Sequence, residues 1–221
     1  MPLIIEQALI ELKDNLVELK EDESLKLTQN LLLNGLNPDL IKESAGPALL
    51  EIGRLFESGQ YFSSALVLTG RILKKILALI QGAPLVETFP GRVLLASLST
   101  KEAREKNRVG LALASLGFEL RDLGLGPTPE TILAETQLFR PNLVGLHWEG
   151  PIKEEKTRLV IKPLKKLGSP DSRPFVFLSG SRVLETFRQK IGADGRLASC
   201  AETLELYHRL VMSYPLNPWA W

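Results

Sequence analysis

Apolar residues recur at three- and four-residue spacing along the first 81 positions. Leu3, Ile4, Ala8, Leu12, Leu16 and Leu19 form one stripe, the mark of an amphipathic helix. Asp22 and Glu23 interrupt it, and Ser24 is placed to cap a second helix that runs through Leu33. Asn34-Gly35 reads as a helix stop. Asn37-Pro38 opens a third helix with proline at its first position, where the missing N–H costs nothing. Its apolar positions are Leu40, Ile41, Ala48, Leu49, Ile52, Leu55 and Phe56, and Gly59 ends it. A fourth helix, from Phe62 to Ile80, is the most apolar. Four helices with short connections predict an antiparallel bundle over residues 1–81.

Gly82, Pro84, Pro90 and Gly91 then mark a linker over 82–91. After it the period changes. A short apolar run at Arg92–Leu98 reads as a strand buried on both faces, and Phe118–Leu123, Leu143–Trp148, Phe175–Leu178 and Gly195–Ala198 read as the strands that follow it. Helical patterns fill the gaps at Ala103–Leu116, Pro129–Leu138 with Thr128 as cap, Lys153–Leu167 and Arg182–Lys190. Ser199 with Glu202 three residues on makes a capping box for a last helix. Strict alternation of strand and helix demands a parallel sheet with helices on both faces. The expected class is therefore α/β: an N-terminal four-helix bundle, then a doubly wound, flavodoxin-like, five-stranded parallel sheet over residues 92–213. Tyr214 to Trp221 reads as an irregular tail whose tryptophans have no assigned role.

The totals narrow the function classes. The 221 residues carry 27 basic and 26 acidic side chains, a net charge of +1 that makes no electrostatic case for nucleic acid or an anionic membrane. No run reaches the roughly 18 apolar residues a bilayer span needs. Cys200 is the single cysteine, which excludes an internal disulfide and a cysteine metal cluster. With no signal-peptide pattern at the start, a cytoplasmic location is expected. Self-association is left open.

In an open α/β sheet, ligands bind beyond the carboxyl ends of the strands. That directs attention to Ser97, Ser99, Thr100 and Glu102, then His147 and Glu149, then Ser179 and Gly180, then Ser199. His147 could act as base, ligand or donor, or only cap a strand. Ser97, Ser99 and Thr100 could cradle a phosphate, but the loop has no glycine and helix capping is the simpler reading. A response-regulator site would need an acidic cluster after the first strand and an aspartate ending the third, where this chain has Ser97 and His147.

Four segments carry a family resemblance. Glu51-Ile-Gly-Arg-Leu-Phe-Glu-Ser-Gly-Gln-Tyr-Phe62 resembles the cap bundle of corrinoid proteins and of cobalamin-dependent methionine synthase. Leu116-Gly-Phe-Glu-Leu-Arg-Asp-Leu-Gly124, Arg140-Pro-Asn-Leu-Val-Gly-Leu146 and Ile191-Gly-Ala-Asp-Gly195 resemble the same family's α/β half, in order. The resemblance implies a corrinoid, with Phe56, Tyr61, Phe62 and Leu66 as cap residues over it. Ser97, Thr100, Glu102, His147, Ser179, Gly180 and Ser199 would be the positions facing it from the sheet. The family's ligand signature is Asp-x-His-x-x-Gly after the first strand, Ser-x-Leu after the third and Gly-Gly after the fourth. Thr100, Glu102 and Glu105 stand at the first, His147 and Glu149 at the second, and Ser179 with Gly180 at the third. Only Gly180 is kept. A carboxylate is a poor replacement for imidazole on cobalt. Glu105, Trp148 and Glu149 add bulk or charge where the family places the apolar nucleotide tail.

The expected function is accordingly cobalamin binding without histidine ligation, as carrier, sensor or accessory partner of a methyltransferase. The alternatives are a scaffold of this fold that binds no cobalamin, and a small-molecule enzyme built on Glu102, His147 and Glu149.

Overall fold

The structure, a computed structural model, describes residues 2–82, 91–100, 103–167 and 173–212. The expected 82–91 linker and 214–221 tail lie almost wholly outside the described residues, as does Glu102. The chain divides into two compact units, one helical and one α/β.

The helical unit opens with α1 (Pro2–Val17), α2 (Glu21–Leu33), α3 (Pro38–Glu57) and α4 (Ser63–Gln81). The start of α3 is as the sequence predicts: the Asn37 side chain accepts from the Asp39 N–H at 3.0 Å, with Pro38 in the first turn. The start of α2 is not. Ser24 lies inside the helix, fully buried, with its hydroxyl donating to the Lys20 carbonyl. Glu21, Asp22 and Glu23 form the first turn instead, where carboxylates favour the positive end of the helix dipole. Acidic residues read as a break are thus a beginning. Glu21 also anchors the helix to α4 through Arg71 and Lys75, both pairing with its carboxylate at 2.5 Å. Leu12, Leu16, Ile41, Leu49, Ile52, Ile72, Leu73 and Ile76 are buried.

The α/β unit contains β1 (Arg92–Ser97), α5 (Arg104–Ser115), β2 (Glu119–Leu125), α6 (Pro129–Phe139), β3 (Leu143–His147), α7 (Glu154–Leu164), β4 (Phe175–Ser179), α8 (Glu185–Ile191) and β5 (Gly195–Leu197). All strand pairs are parallel, in the order β2-β1-β3-β4-β5. The doubly wound sheet read from the sequence is therefore the observed one. The reversal of strand order falls between β1 and β3, the usual place for a ligand in this architecture.

Side-chain alternation divides the sheet into two unlike faces. Leu94, Ala96, Leu98, Val144, Leu146, Trp148, Val176 and Leu178 belong to one apolar core with residues of α6 and α7. The other face carries Leu95, Gly145 and Phe177 in register. Gly145 is required there, since a Cβ would sit 2.4 Å from both Leu95 and the Phe177 ring. Gly110 of α5 approaches Leu95 on this face, so the helix lies close to the strands.

The last helix, α9 (Cys200–Tyr207), continues into a wider π-helical turn over His208–Met212. The expected α/β span ran to residue 213, but α9 groups with the helical unit and packs along α3. Gly53 of α3 makes that packing close, because a Cβ there would lie 2.4 Å from Ala201 Cα. The Ala201 N–H donates to Glu57 at 3.1 Å, and His208 Nε2 donates to the Lys42 carbonyl at 2.8 Å.

Gly53→Ala is expected to destabilise the helical unit by about 1–3 kcal/mol, although alanine is the better helix former. A melting temperature lowered by roughly 2–4 °C per kcal/mol would report it. An unchanged melt would show that α9 does not press on α3 at this position.

Candidate functional site

Register brings three polar residues into one row at the carboxyl ends of the central strands. Ser97 of β1 pairs with His147 of β3, and His147 pairs with Ser179 of β4. All three lie two residues on from Leu95, Gly145 and Phe177, so they share that face. All three are buried, His147 completely.

Both nitrogens of His147 are engaged. Nδ1 lies 3.1 Å from Ser179 Oγ and Nε2 lies 3.3 Å from Glu149 Oε2. A carboxylate can only accept, so a neutral ring carries its hydrogen on Nε2, and Nδ1 accepts from the Ser179 hydroxyl. Burial lowers the imidazole pKa from its ordinary value; Glu149 opposes this and the Lys106 charge adds to it. Lys106 is itself buried on α5, with both Asp122 oxygens at 2.6 Å.

The surrounding loops tie into the row. Ser97 Oγ donates to the Ser99 carbonyl, and Ser99 Oγ accepts the Glu149 N–H at 2.9 Å. Lys156 of α7 donates to the Leu98 carbonyl at 2.7 Å. Gly180, at φ +131°, sits where a Cβ would come within 2.1 Å of the Trp148 carbonyl oxygen, so the residue after β4 must be glycine. Thr100 is exposed and packs its methyl near Gly126. Ser199 is half-buried beyond β5, away from the row in sequence register.

Trp148 does not enter this face, contrary to the reading that it adds bulk to a tail pocket. It is buried on the α7 side, and its Nε1 donates to Thr157 Oγ1 at 2.9 Å. Alternation along β3 decides it: with His147 on one face, Trp148 takes the other.

Glu105, in the first turn of α5, is the residue the candidate set underweighted. Its Oε2 is buried with no hydrogen-bond partner. Burial and then the nearby Glu149 charge raise its pKa, while Arg108 and the Ser181 N–H act the other way. The sequence signal for it was a carboxylate at the family's glycine position. Of the proposed Glu102–His147–Glu149 set, the structure brings His147 and Glu149 together, with Glu105 alongside electrostatically. Ser179, His147 and Glu149 have the order of a hydrolytic triad. Ser179 and His147 are sealed from solvent, however, so the hydroxyl is presented to no substrate.

In the helical unit, Phe62 is 74% exposed and Leu66 fully buried. Phe56 and Tyr61 are half-buried, and the Tyr61 hydroxyl donates to the Val17 carbonyl at 2.5 Å. Of the four expected cap residues, Phe62 is the open apolar surface and Leu66 is core.

Residues 9–81 match the family described as "B12 binding domain". Over 211 residues the chain is 21% identical to dimethylamine corrinoid protein 2 of Methanosarcina acetivorans, covering 94% of this chain and 97% of that one. The fold is shared with a cobalamin-binding protein from Desulfitobacterium hafniense, at 22% identity and TM-score 0.60 over 92% of this chain and 98% of that one. It is shared also with a chain of the methanol:cobalamin methyltransferase complex of Methanosarcina barkeri, at 17% identity and TM-score 0.54 over 94% and 81%. The resemblance to corrinoid-binding modules read from the sequence therefore holds. No helix among the described residues is long and apolar enough to cross a membrane.

Because burial lowers the folded-state pKa of His147, the unfolded chain binds more protons as pH falls through the ordinary value of 6.5. Its contribution to stability is full at higher pH and is lost on acidification. Glu105 has the opposite sign: its raised pKa makes its ionised form a cost at neutral pH. Glu105→Gln is expected to raise the urea midpoint at pH 7 and to lose that advantage in acid. His147→Gln should flatten the pH dependence below about 6.5. Denaturation midpoints across pH 4–8 check both signs, and parallel profiles for variants and parent would refute them.

Proposed function

We propose that this chain is a corrinoid carrier or accessory module of a methyltransferase system, and that it holds its corrinoid with no histidine of its own on cobalt. The family match over residues 9–81 and the corrinoid-protein relatives support the first part. One observation carries the second. The chain has two histidines, and the ring nitrogens of His147 and Nε2 of His208 are already committed to internal hydrogen bonds.

The donor set at the strand ends does not fit a histidine-ligated cobalt. It offers serine hydroxyls and carboxylates, hard oxygen donors for a metal that favours imidazole. Freeing His147 would leave the buried Ser179 hydroxyl without its partner, at about 1–3 kcal/mol. Of the sheet's candidate positions, exposed Thr100 and half-buried Ser199 are the ones left to face a bound corrin, since Ser97, Ser179 and Gly180 are buried. Taken by itself, the helical unit offers Phe62 as the exposed apolar side chain of the expected cap set.

Relatives that work with methyltransferases make such an enzyme the expected partner. Among its substrates, a methylamine or methanol donor has the clearest precedent in the relatives' names.

The test is retention of colour. Purified protein mixed with hydroxocobalamin or methylcobalamin and desalted is expected to keep the chromophore. His147→Ala and His208→Ala should leave the visible spectrum of the bound cobalamin unchanged. A spectral change in either variant would put histidine back on cobalt. Loss of every cobalamin form on desalting would leave a scaffold of this fold that carries none.

A further inference from the structure

We propose that the strand ends of the α/β unit are closed to the nucleotide tail of a corrinoid. This chain would then take corrinoids whose lower base stays on cobalt or is missing. The inference rests on the corrinoid reading above and adds the form of the ligand.

A cobalamin carries an aromatic base on a flexible tail. When the base leaves cobalt, it must be stacked, buried or left in water. Burial at the strand ends needs a slot between neighbouring strands on the face of Ser97, His147 and Ser179. That space is filled by this chain's own groups. The imidazole of His147 has no exposed side-chain surface and is held from both sides. An inserted base would displace it and strand the Ser179 hydroxyl and a carboxylate oxygen, neither of which the base could satisfy in full.

Two further features oppose the tail. Gly180 leaves no gap beside β4, because the Trp148 carbonyl already fills the space a Cβ would need. Glu105 brings a buried, unpartnered oxygen and the nearby Glu149 a second charge. An apolar ring against them would exclude water and return no hydrogen bond. A base that stays on cobalt meets none of these costs. Nor does a corrinoid without a tail.

Affinity should therefore be indifferent to the tail. The experiment compares the unmodified protein's binding of methylcobalamin with that of tail-less methylcobinamide, by equilibrium dialysis, and records the spectrum of bound methylcobalamin. The expected result is dissociation constants within about threefold, less than 1 kcal/mol, and a base-on spectrum. A base-off spectrum, or a larger preference for methylcobalamin, overturns the inference and leaves the carrier reading standing. Binding of neither corrinoid overturns both.

Discussion

The arrangement of the strand ends depends on the two hydrogen bonds of one buried imidazole. His147 stands in the middle of the sheet, where a polar ring without partners would cost several kilocalories per mole. Ser179 supplies a donor on one side and Glu149 an acceptor on the other. Glu149 is positioned by its own N–H on Ser99, and Ser99 is linked to Ser97. The loops after β1 and β3 are thus joined by one network centred on a single buried imidazole.

The two ends of the sheet differ in how charge is treated. At the amino ends, Asp194 accepts from Arg173 through both oxygens, from Lys165 and from the Val176 N–H. Arg92 and Arg121 both lie over the Phe139 ring, and each also pairs with a glutamate. Those groups hold strands and helices in place. At the carboxyl ends, Glu105 keeps a buried oxygen with no donor. Stability alone would favour removing such a carboxylate.

Much of this was legible in the chain itself. Short apolar runs and three- to four-residue spacing located the strands and α-helices of the described residues, and Asn37, Thr128 and Gly35 marked boundaries through turn and cap chemistry. Ser24 was misread because a serine after acidic residues looks like a cap, whereas packing buried it and left the acids to begin the helix. Trp148 was ambiguous for a geometric reason. Alternation says that adjacent residues face opposite ways but not which way each faces, and only the register of β1, β3 and β4 decides. Glu105 was visible as a misplaced charge, while its orphaned oxygen is a property of three-dimensional packing.

The packing of α9 on α3 has a consequence for how the protein is made. Glu57 and Ala201 bond across 144 residues of sequence, and Lys42 and His208 across 166. Within these residues α1 to α4 precede every strand, yet α9, a wall of the same unit, follows them. Until α9 emerges, α3 presents Ile52 and Gly53 with that wall missing. The α/β unit, encoded in between, has all its strands by then and can close without waiting. The helical unit is therefore discontinuous in sequence, and closing it brings together residues 144 apart, an entropic cost that grows only slowly with such separation.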